Sequence, residues 1–177
     1  FEKTGEWNDI SRVYLDNLIA EQNGNKKVAV LEARKQIMQT LSDGAGITSF
    51  SGHSAPTMWS FSRLLKQDDI ASISNINQTT IALPLACYNT YADSPSINTL
   101  AIMFLVEGEN GAVAVFGAAT LSQFSQNGAA ITKVIDNLLM GKTLGESIRK
   151  AKEDLGLDYS DIMRNSNLLG DVTLKLK

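Results

Sequence analysis

The stretch Thr79–Tyr91, TTIALPLACYNTY, decides how this chain is read. An apolar run from Ile81 to Ala86 stops at Cys87, the single cysteine of the 177 residues. Tyr88, Asn89 and Thr90 follow as a loop-forming segment. A short apolar run bounded in this way predicts a buried strand. An irregularity is expected at Pro84, which has no N–H to give to a ladder. A second stretch has the same shape: Ile47-Thr48-Ser49-Phe50-Ser51-Gly52 leads to His53, the single histidine. Each strand delivers one reactive side chain at its carboxyl end, where open α/β sheets carry their sites. A lone cysteine is more often a small buried hydrophobe, and a lone loop histidine more often takes no part in chemistry. Two such residues on consecutive strands point instead to a thiol nucleophile and its base. If the strands are adjacent and parallel, their ends lie about 5 Å apart.

Working outward, Ile10–Leu15 reads as a first strand and Asn23-Gly24-Asn25 as a turn. Val30, Ala33, Ile37 and Leu41 recur at helical spacing within Val28–Leu41, and Asp43-Gly44-Ala45-Gly46 closes that helix. Trp59, Phe61, Leu64 and Leu65 predict a short apolar helix after Pro56, and residues 67–77 a polar connection. Ser94-Pro95 predicts a helix start, with Ile97, Leu100, Ala101, Phe104 and Leu105 on one face. Ala112–Phe116 is a continuous apolar run, as in a parallel strand covered on both faces, and Gly117 is expected to end it. Ile131, Val134, Ile135, Leu138 and Leu139 predict a helix closed by Gly141. Thr143-Leu144-Gly145-Glu146 is a capping box opening another, and Val172–Leu176 reads as a last strand. The order β-α-β-α-β-α-β-α-α-β predicts an α/β fold, a mostly parallel sheet sandwiched by helices.

Composition bounds the function. Hydrophobic residues make up 44% and charged residues 20%, values of a globular domain, and the length suits a single one. Sixteen Lys and Arg against 19 Asp and Glu give a net charge of −3, which argues against a broad nucleic-acid surface. With one His and one Cys, a zinc site of thiolates and imidazoles is excluded. No apolar run reaches the ~18 residues of a membrane span. No G-x-G-x-x-G follows a strand, which disfavours a dinucleotide binder. The opening Phe1-Glu2-Lys3-Thr4-Gly5 lacks an initiating Met and reads as the interior of a longer or processed chain.

The chain resembles the gingipain-type peptidases, whose caspase-like fold is shared with caspases, legumains and separase. The marks of that clan are an apolar block ending in His-Gly and a second ending in Ala-Cys. Here they stand as ITSFSGHS, ending in His53-Ser54, and TTIALPLAC, ending in Ala86-Cys87, with the histidine and the cysteine 34 positions apart. The glycine-flanked GAVAVFGAATLS and the ending Asn167-Leu168-Leu169-Gly170-Asp171 also fit, so the resemblance runs from Val13 to Leu176. It implies one caspase-like peptidase domain over residues 1–177, lacking the fold's N-terminal strands. Another segment of the same precursor is the expected source of those strands.

The resemblance also implies the chemistry. Cys87 would be the nucleophile of a cysteine endopeptidase and His53 its proton carrier, hydrolysing peptide bonds through an acyl-enzyme. The backbone N–H groups of Ser54 and Cys87 would form the oxyanion hole. Glycine is usual after the histidine, and serine would be strained there if the position needs positive φ. Thr120, Gln123 and Phe124, in the loop after the fourth strand, are candidates for the substrate pocket. Glu6, Asp9 and Asp93 are the acidic residues considered for a basic-specificity pocket, Glu6 and Asp9 also for orienting His53. No catalytic cofactor is implied; a structural calcium follows only by family analogy. The partner is a peptide or protein substrate, and the family is typically exported from bacteria: periplasmic, cell-surface or secreted. Two alternatives stand beside hydrolysis. One is a sortase-like transpeptidase of a bacterial secretion system. The other is an inactive relative retained as a binding or structural module.

Overall fold

The computed structural model describes residues 9–93, 96–107, 110–156 and 164–176. Its centre is a four-stranded sheet in the order β1-β5-β6-β7. β1 (Ile47–Thr48), β5 (Thr80–Ala82) and β6 (Ala112–Ala118) run parallel, and β7 (Ser166–Gly170) closes the sheet antiparallel to β6. The sheet is therefore mostly parallel, as the alternation of elements requires.

Both faces are covered. Along β5 and β6 the side chains alternate with the strand period of two. Ala82 and Val115 join Leu41 of α2 (Lys26–Asp43) and Leu100, Ala101 and Phe104 of α3 (Leu100–Val106). Ile81, Leu83, Ala114 and Phe116 face the other way. They pack on Ile131, Val134 and Leu138 of α4 (Phe124–Leu139) and on Leu144, Ile148 and Ala151 of α5 (Leu144–Leu155). The expected helices at α2, α4 and α5 form and close where predicted, but α4 begins at Phe124, seven residues before Ile131, and so takes Phe124 out of the expected loop. Asn25 caps α2 by accepting from the Val28 N–H at 3.2 Å, and Gly44 takes the positive φ of 92° that stops it. Thr143 and Glu146 form the reciprocal capping box of α5.

Five local expectations are corrected. Residues 10–14 make no strand; the chain enters α1 (Leu15–Glu21) instead. Ile10 and Tyr14 are exposed, whereas Leu18 is buried against Ala29 and Ala33 of α2, so helical spacing wins. Trp59 to Leu65 is not a helix but part of a three-stranded antiparallel sheet of β2 (Ser54–Ala55), β3 (Met58–Trp59) and β4 (Leu65–Lys66). Ser60 and Arg63 stand at φ 61° and 59°, which no right-handed helix accommodates. Ser94 and Pro95 lie outside the described residues, and α3 starts at Leu100, where the Thr99 hydroxyl accepts from the Ile102 N–H at 3.3 Å. Finally, residues 172–176 form no strand. The carbonyls of Val172 and Leu174 accept from the Gly145 and Leu144 N–H groups at the start of α5, and the sheet is closed by β7 just upstream. Gly117 does not end β6 but lies within it.

Candidate active site

One register relates the two reactive residues. Ile47 faces Ile81, Thr48 faces Ala82 and Ser51 bridges Leu85 in parallel, so each pair is 34 positions apart. His53 and Cys87 are separated by the same 34 and each stands two residues beyond the last bridge, so they leave adjacent strands at the same height. Pro84 does not interrupt this edge. The N–H groups of Ile81, Leu83 and Leu85 all point to β1, accepted by Gly46, Thr48 and Phe50 at 3.0, 2.8 and 2.6 Å. The residues between them turn their N–H toward β6. Proline thus sits on the β6 side, where the regular β5–β6 pairing has its last pair, Ala82 with Val115.

His53 leads directly into the β2–β3 hairpin. Its carbonyl accepts from the Ser60 N–H at 2.7 Å. Ser54 and Trp59, the next pair, are therefore a pair without mutual ladder bonds, and the Ser54 N–H lies on the outer edge of β2. That edge meets the cysteine: the Ser54 hydroxyl donates to the Cys87 carbonyl. Ser54 is not among the residues with positive φ, so serine carries no strain at this position. The hairpin is anchored by Trp59, whose ring stacks on Phe50 at 5.0 Å between centroids and contacts Phe104 at 5.8 Å. Phe61, at the tip, is 73% exposed and stacks on the His53 imidazole, with centroids 5.7 Å apart and planes 22° apart.

Cys87 occupies a tight turn after β5 and is half-buried. Tyr88 adopts φ 54°, a left-handed conformation unusual for an aromatic residue. The turn is fastened to β6 by the Tyr88 and Thr90 N–H groups, accepted by Thr120 and Ala118 at 3.0 and 3.1 Å, and by the Thr90 hydroxyl, which donates to Gly117 at 2.8 Å. Asn89 is buried and ties the turn to the hairpin: its amide N–H donates to the Ala86 carbonyl, and its oxygen accepts from the Trp59 indole N–H at 3.2 Å. Strained backbone held by this many bonds is typical of a functional turn.

One residue not singled out from sequence, Ser122, reaches the sulfur, and a second, Asn127, holds Ser122. Cys87 Sγ lies 3.6 Å from the Ser122 carbonyl and 3.9 Å from the Ser122 hydroxyl. Asn127 Nδ2 donates to that hydroxyl at 2.7 Å. Ser122 and Asn127 flank the start of α4; Ser122 ends the stretch GAVAVFGAATLS, but that stretch gives neither residue a role.

Of the three residues expected to line a pocket, only Thr120 bonds the cysteine turn, through its backbone. Thr120 offers its carbonyl to the Tyr88 N–H while the residue itself is exposed. Gln123 is exposed at the N-terminus of α4. Phe124 opens α4, but its side chain lies outside the described residues, as does Glu6. Asp9 and Asp93 are exposed. Calcium takes about six to eight oxygen ligands, yet the described residues contain no group of three or more His, Cys, Asp or Glu able to hold a metal. Among the described residues no helix is long and apolar enough to cross a membrane.

The family model for peptidase family C25 matches residues 2–177. The chain belongs to that family. No curated protein matches it. Solved structures share its fold. The complex of the pro- and mature domains of RgpB from Porphyromonas gingivalis superposes with a TM-score of 0.69 at 16% identity, covering 96% of this chain and 45% of that one. The Arg-specific cysteine proteinase gingipain R gives 0.72 at 16% identity, with 88% and 42% covered. A further protease gives 0.64 at 14% identity, with 77% and 36% covered. The chain thus spans less than half the length of each of these three structures, and its architecture agrees with the caspase-like expectation.

Proposed function

We propose that this chain carries the catalytic pair of a cysteine endopeptidase, with Cys87 as nucleophile and His53 as its proton carrier. The observation that supports it most is the constant 34-residue register, by which the only thiol and the only imidazole follow adjacent parallel strands at matching positions. Family membership agrees with this chemistry.

A free thiol is only ~3% ionised at neutral pH, so transfer of its proton to His53 accompanies attack on the scissile carbonyl. The tetrahedral oxyanion is then held by the N–H groups of Ser54 and Cys87. The outward edge of β2 supports that role for Ser54. His53 next gives its proton to the departing amine, and water, deprotonated by His53, releases the acyl group from sulfur. The pocket for the residue before the cleaved bond is placed at Thr120, Gln123 and Phe124, beside the cysteine turn. The arginine specificity of the gingipain neighbour is not carried over, because Asp9 and Asp93 are exposed and nothing in the sequence selects one acidic residue for that pocket. The coverage of the relatives supports reading residues 1–177 as part of a larger peptidase domain completed by another segment of the same precursor. Export from a bacterial cell is the compartment the family implies.

The test is covalent labelling by a panel of peptidyl acyloxymethyl ketones at neutral pH, read by intact mass and peptide mapping. The expected result is one adduct, on Cys87, absent in C87A and strongly slowed in H53A, together with hydrolysis of a matching peptide. If an added amine captures the acyl group in place of water, the enzyme is a transpeptidase. If no ketone labels the folded chain and iodoacetamide reaches Cys87 only after unfolding, the peptidase reading falls and a binding or structural role replaces it.

A further inference from the structure

We infer that Ser122 and Asn127 form a polarity-fixed relay that positions a hydrogen-bond donor on the Cys87 sulfur. The inference rests on the peptidase reading for its purpose, though its geometry stands alone. Asn127 sits in the first turn of α4, its N–H accepted by the Gln123 carbonyl at 3.1 Å, and only 2% of the residue is exposed. Its Nδ2 donates to Ser122 Oγ at 2.7 Å. A hydroxyl has a single hydrogen. With a lone pair occupied by the amide, Ser122 is left to direct that hydrogen elsewhere, and Cys87 Sγ lies 3.9 Å away.

The other half of the Asn127 amide is the clue to function. Its Oδ1 is buried and has no hydrogen-bond partner among the described residues. A buried orphan acceptor costs stability, and such a group in a folded protein calls for an explanation. Turning the amide over would swap donor for acceptor at Ser122. The Ser122 hydrogen would then go to the amide and be lost to the sulfur.

The relay acts differently on the two states of sulfur. In the thiol, S–H donates to the Ser122 carbonyl at 3.6 Å. When His53 takes that proton, the S–H bond to the carbonyl disappears. The Ser122 O–H then donates to a full negative charge, and such charge-assisted bonds are the stronger kind. The relay therefore favours the thiolate without itself gaining or losing a proton. The groups bonded to the turn from neighbouring elements, the side chains of Ser54 and Trp59 and the carbonyls of Gly117, Ala118, Thr120 and Ser122, do not ionise in the working range. Among the described residues, titratable side chains at the turn are His53, across the strand ends, and Tyr88, whose ring meets that of Tyr91 edge-on at 6.0 Å.

Ser122 and Asn127 are thus positioning residues, and iodoacetamide separates this role from a structural one without requiring peptidase activity. Alkylation of Cys87 at pH 7 is expected to slow about 3-fold in S122A and N127L, and to approach the wild-type rate at about pH 9.5, where most thiols are ionised. N127D, an acceptor in place of a donor, should slow it further. N127L should melt at or above the wild-type temperature, because it removes the orphan oxygen. Equal pH 7 rates in folded wild type, S122A, N127L and N127D would overturn the relay. So would slowing that persists undiminished at pH 9.5, since that reports access rather than charge. Absence of ketone labelling in the wild type, with the iodoacetamide pattern intact, would sink the peptidase reading while leaving the relay standing.

Discussion

The Ser54 hydroxyl donates to the backbone carbonyl of Cys87, joining the residue after the histidine to the nucleophile's own peptide group. A glycine, usual at this position in the family this chain resembles, has no such bond to make. Ser54 is buried, and its φ suits any L-residue, so the side chain adds a tie without costing strain. Removing it leaves the carbonyl of a half-buried turn without this donor, at a cost of about 1–3 kcal/mol where no water replaces it. S54A is therefore expected to lower the melting temperature and to slow ketone acylation of Cys87 by about 5-fold, with S54T retaining most of both. If S54A acylates at the wild-type rate, the tie has no bearing on the nucleophile.

Phe61 is the most exposed aromatic described at the site, and burial gives it no reason to be there. Its stack on His53 does: an offset ring pair contributes about 0.5–1.5 kcal/mol beyond area burial, and here that energy limits how the imidazole turns. F61A is expected to reduce acylation several-fold with little change in melting temperature, and F61Y to restore it. Proton NMR gives an independent reading. The His53 ring protons should lie upfield from the ring current of Phe61 and move downfield in F61A. Unchanged shifts would show that the stack does not persist in solution.

The layers of the fold were legible in sequence because each rests on a local period. Ile131, Val134 and Leu138 repeat at helical spacing and bury one stripe, and Ala112–Phe116 is apolar on both sides because both sides are covered. The positions of His53 and Cys87 at strand ends followed from the same blocks, and their spacing happens to equal the strand register. The β2–β3–β4 hairpin was not legible. Trp59, Phe61, Leu64 and Leu65 have helical spacing, and only the left-handed backbone at Ser60 and Arg63, neither of them glycine, prevents the helix. Residues 10–14 misled because strand propensity says nothing about whether a neighbouring strand is available. Ser122 and Asn127 were invisible for another reason. Their contribution is the direction of one hydrogen bond, set by the tertiary contact between the end of β6 and the cysteine turn.

Gly117 lets the cysteine turn approach β6. A Cβ there would stand 3.2 Å from Asn89 Cβ and 3.3 Å from Pro84 Cγ, with the Pro84 carbonyl at 3.4 Å. Neither neighbour is free to yield, since proline is rigid and Asn89 is held by Trp59 and Ala86. G117A should cost about 1–3 kcal/mol as an overpacked site and should also displace the turn that carries Cys87. In thermal melts and ketone labelling, the variant is expected to lose acylation rate even at temperatures where it is fully folded. A stability loss with wild-type acylation would mean that the turn moves as a rigid unit and keeps its aim.

The capping box of α5 supplies a pH dependence with a definite sign. The Thr143 N–H donates to Glu146 Oε2 at 3.0 Å while the Thr143 hydroxyl accepts from the Glu146 N–H at 3.2 Å. Hydrogen bonds from the Thr143 backbone and side chain hold the Glu146 carboxyl below its ordinary value of 4.5. A carboxyl whose folded value is depressed stabilises the fold above its unfolded value, and that contribution is lost as pH falls through the lower folded value. E146Q should therefore melt below the wild type at neutral pH, and the gap should close on acidification from about pH 4.5 downward. T143A should show a larger neutral-pH loss of about 0.5–2 kcal/mol, because it also removes the helix cap. Melts of the three proteins at pH 7, 4.5 and 2.5 decide the matter. A gap between wild type and E146Q that stays constant across that range would mean that the ionised carboxylate does not hold the helix end.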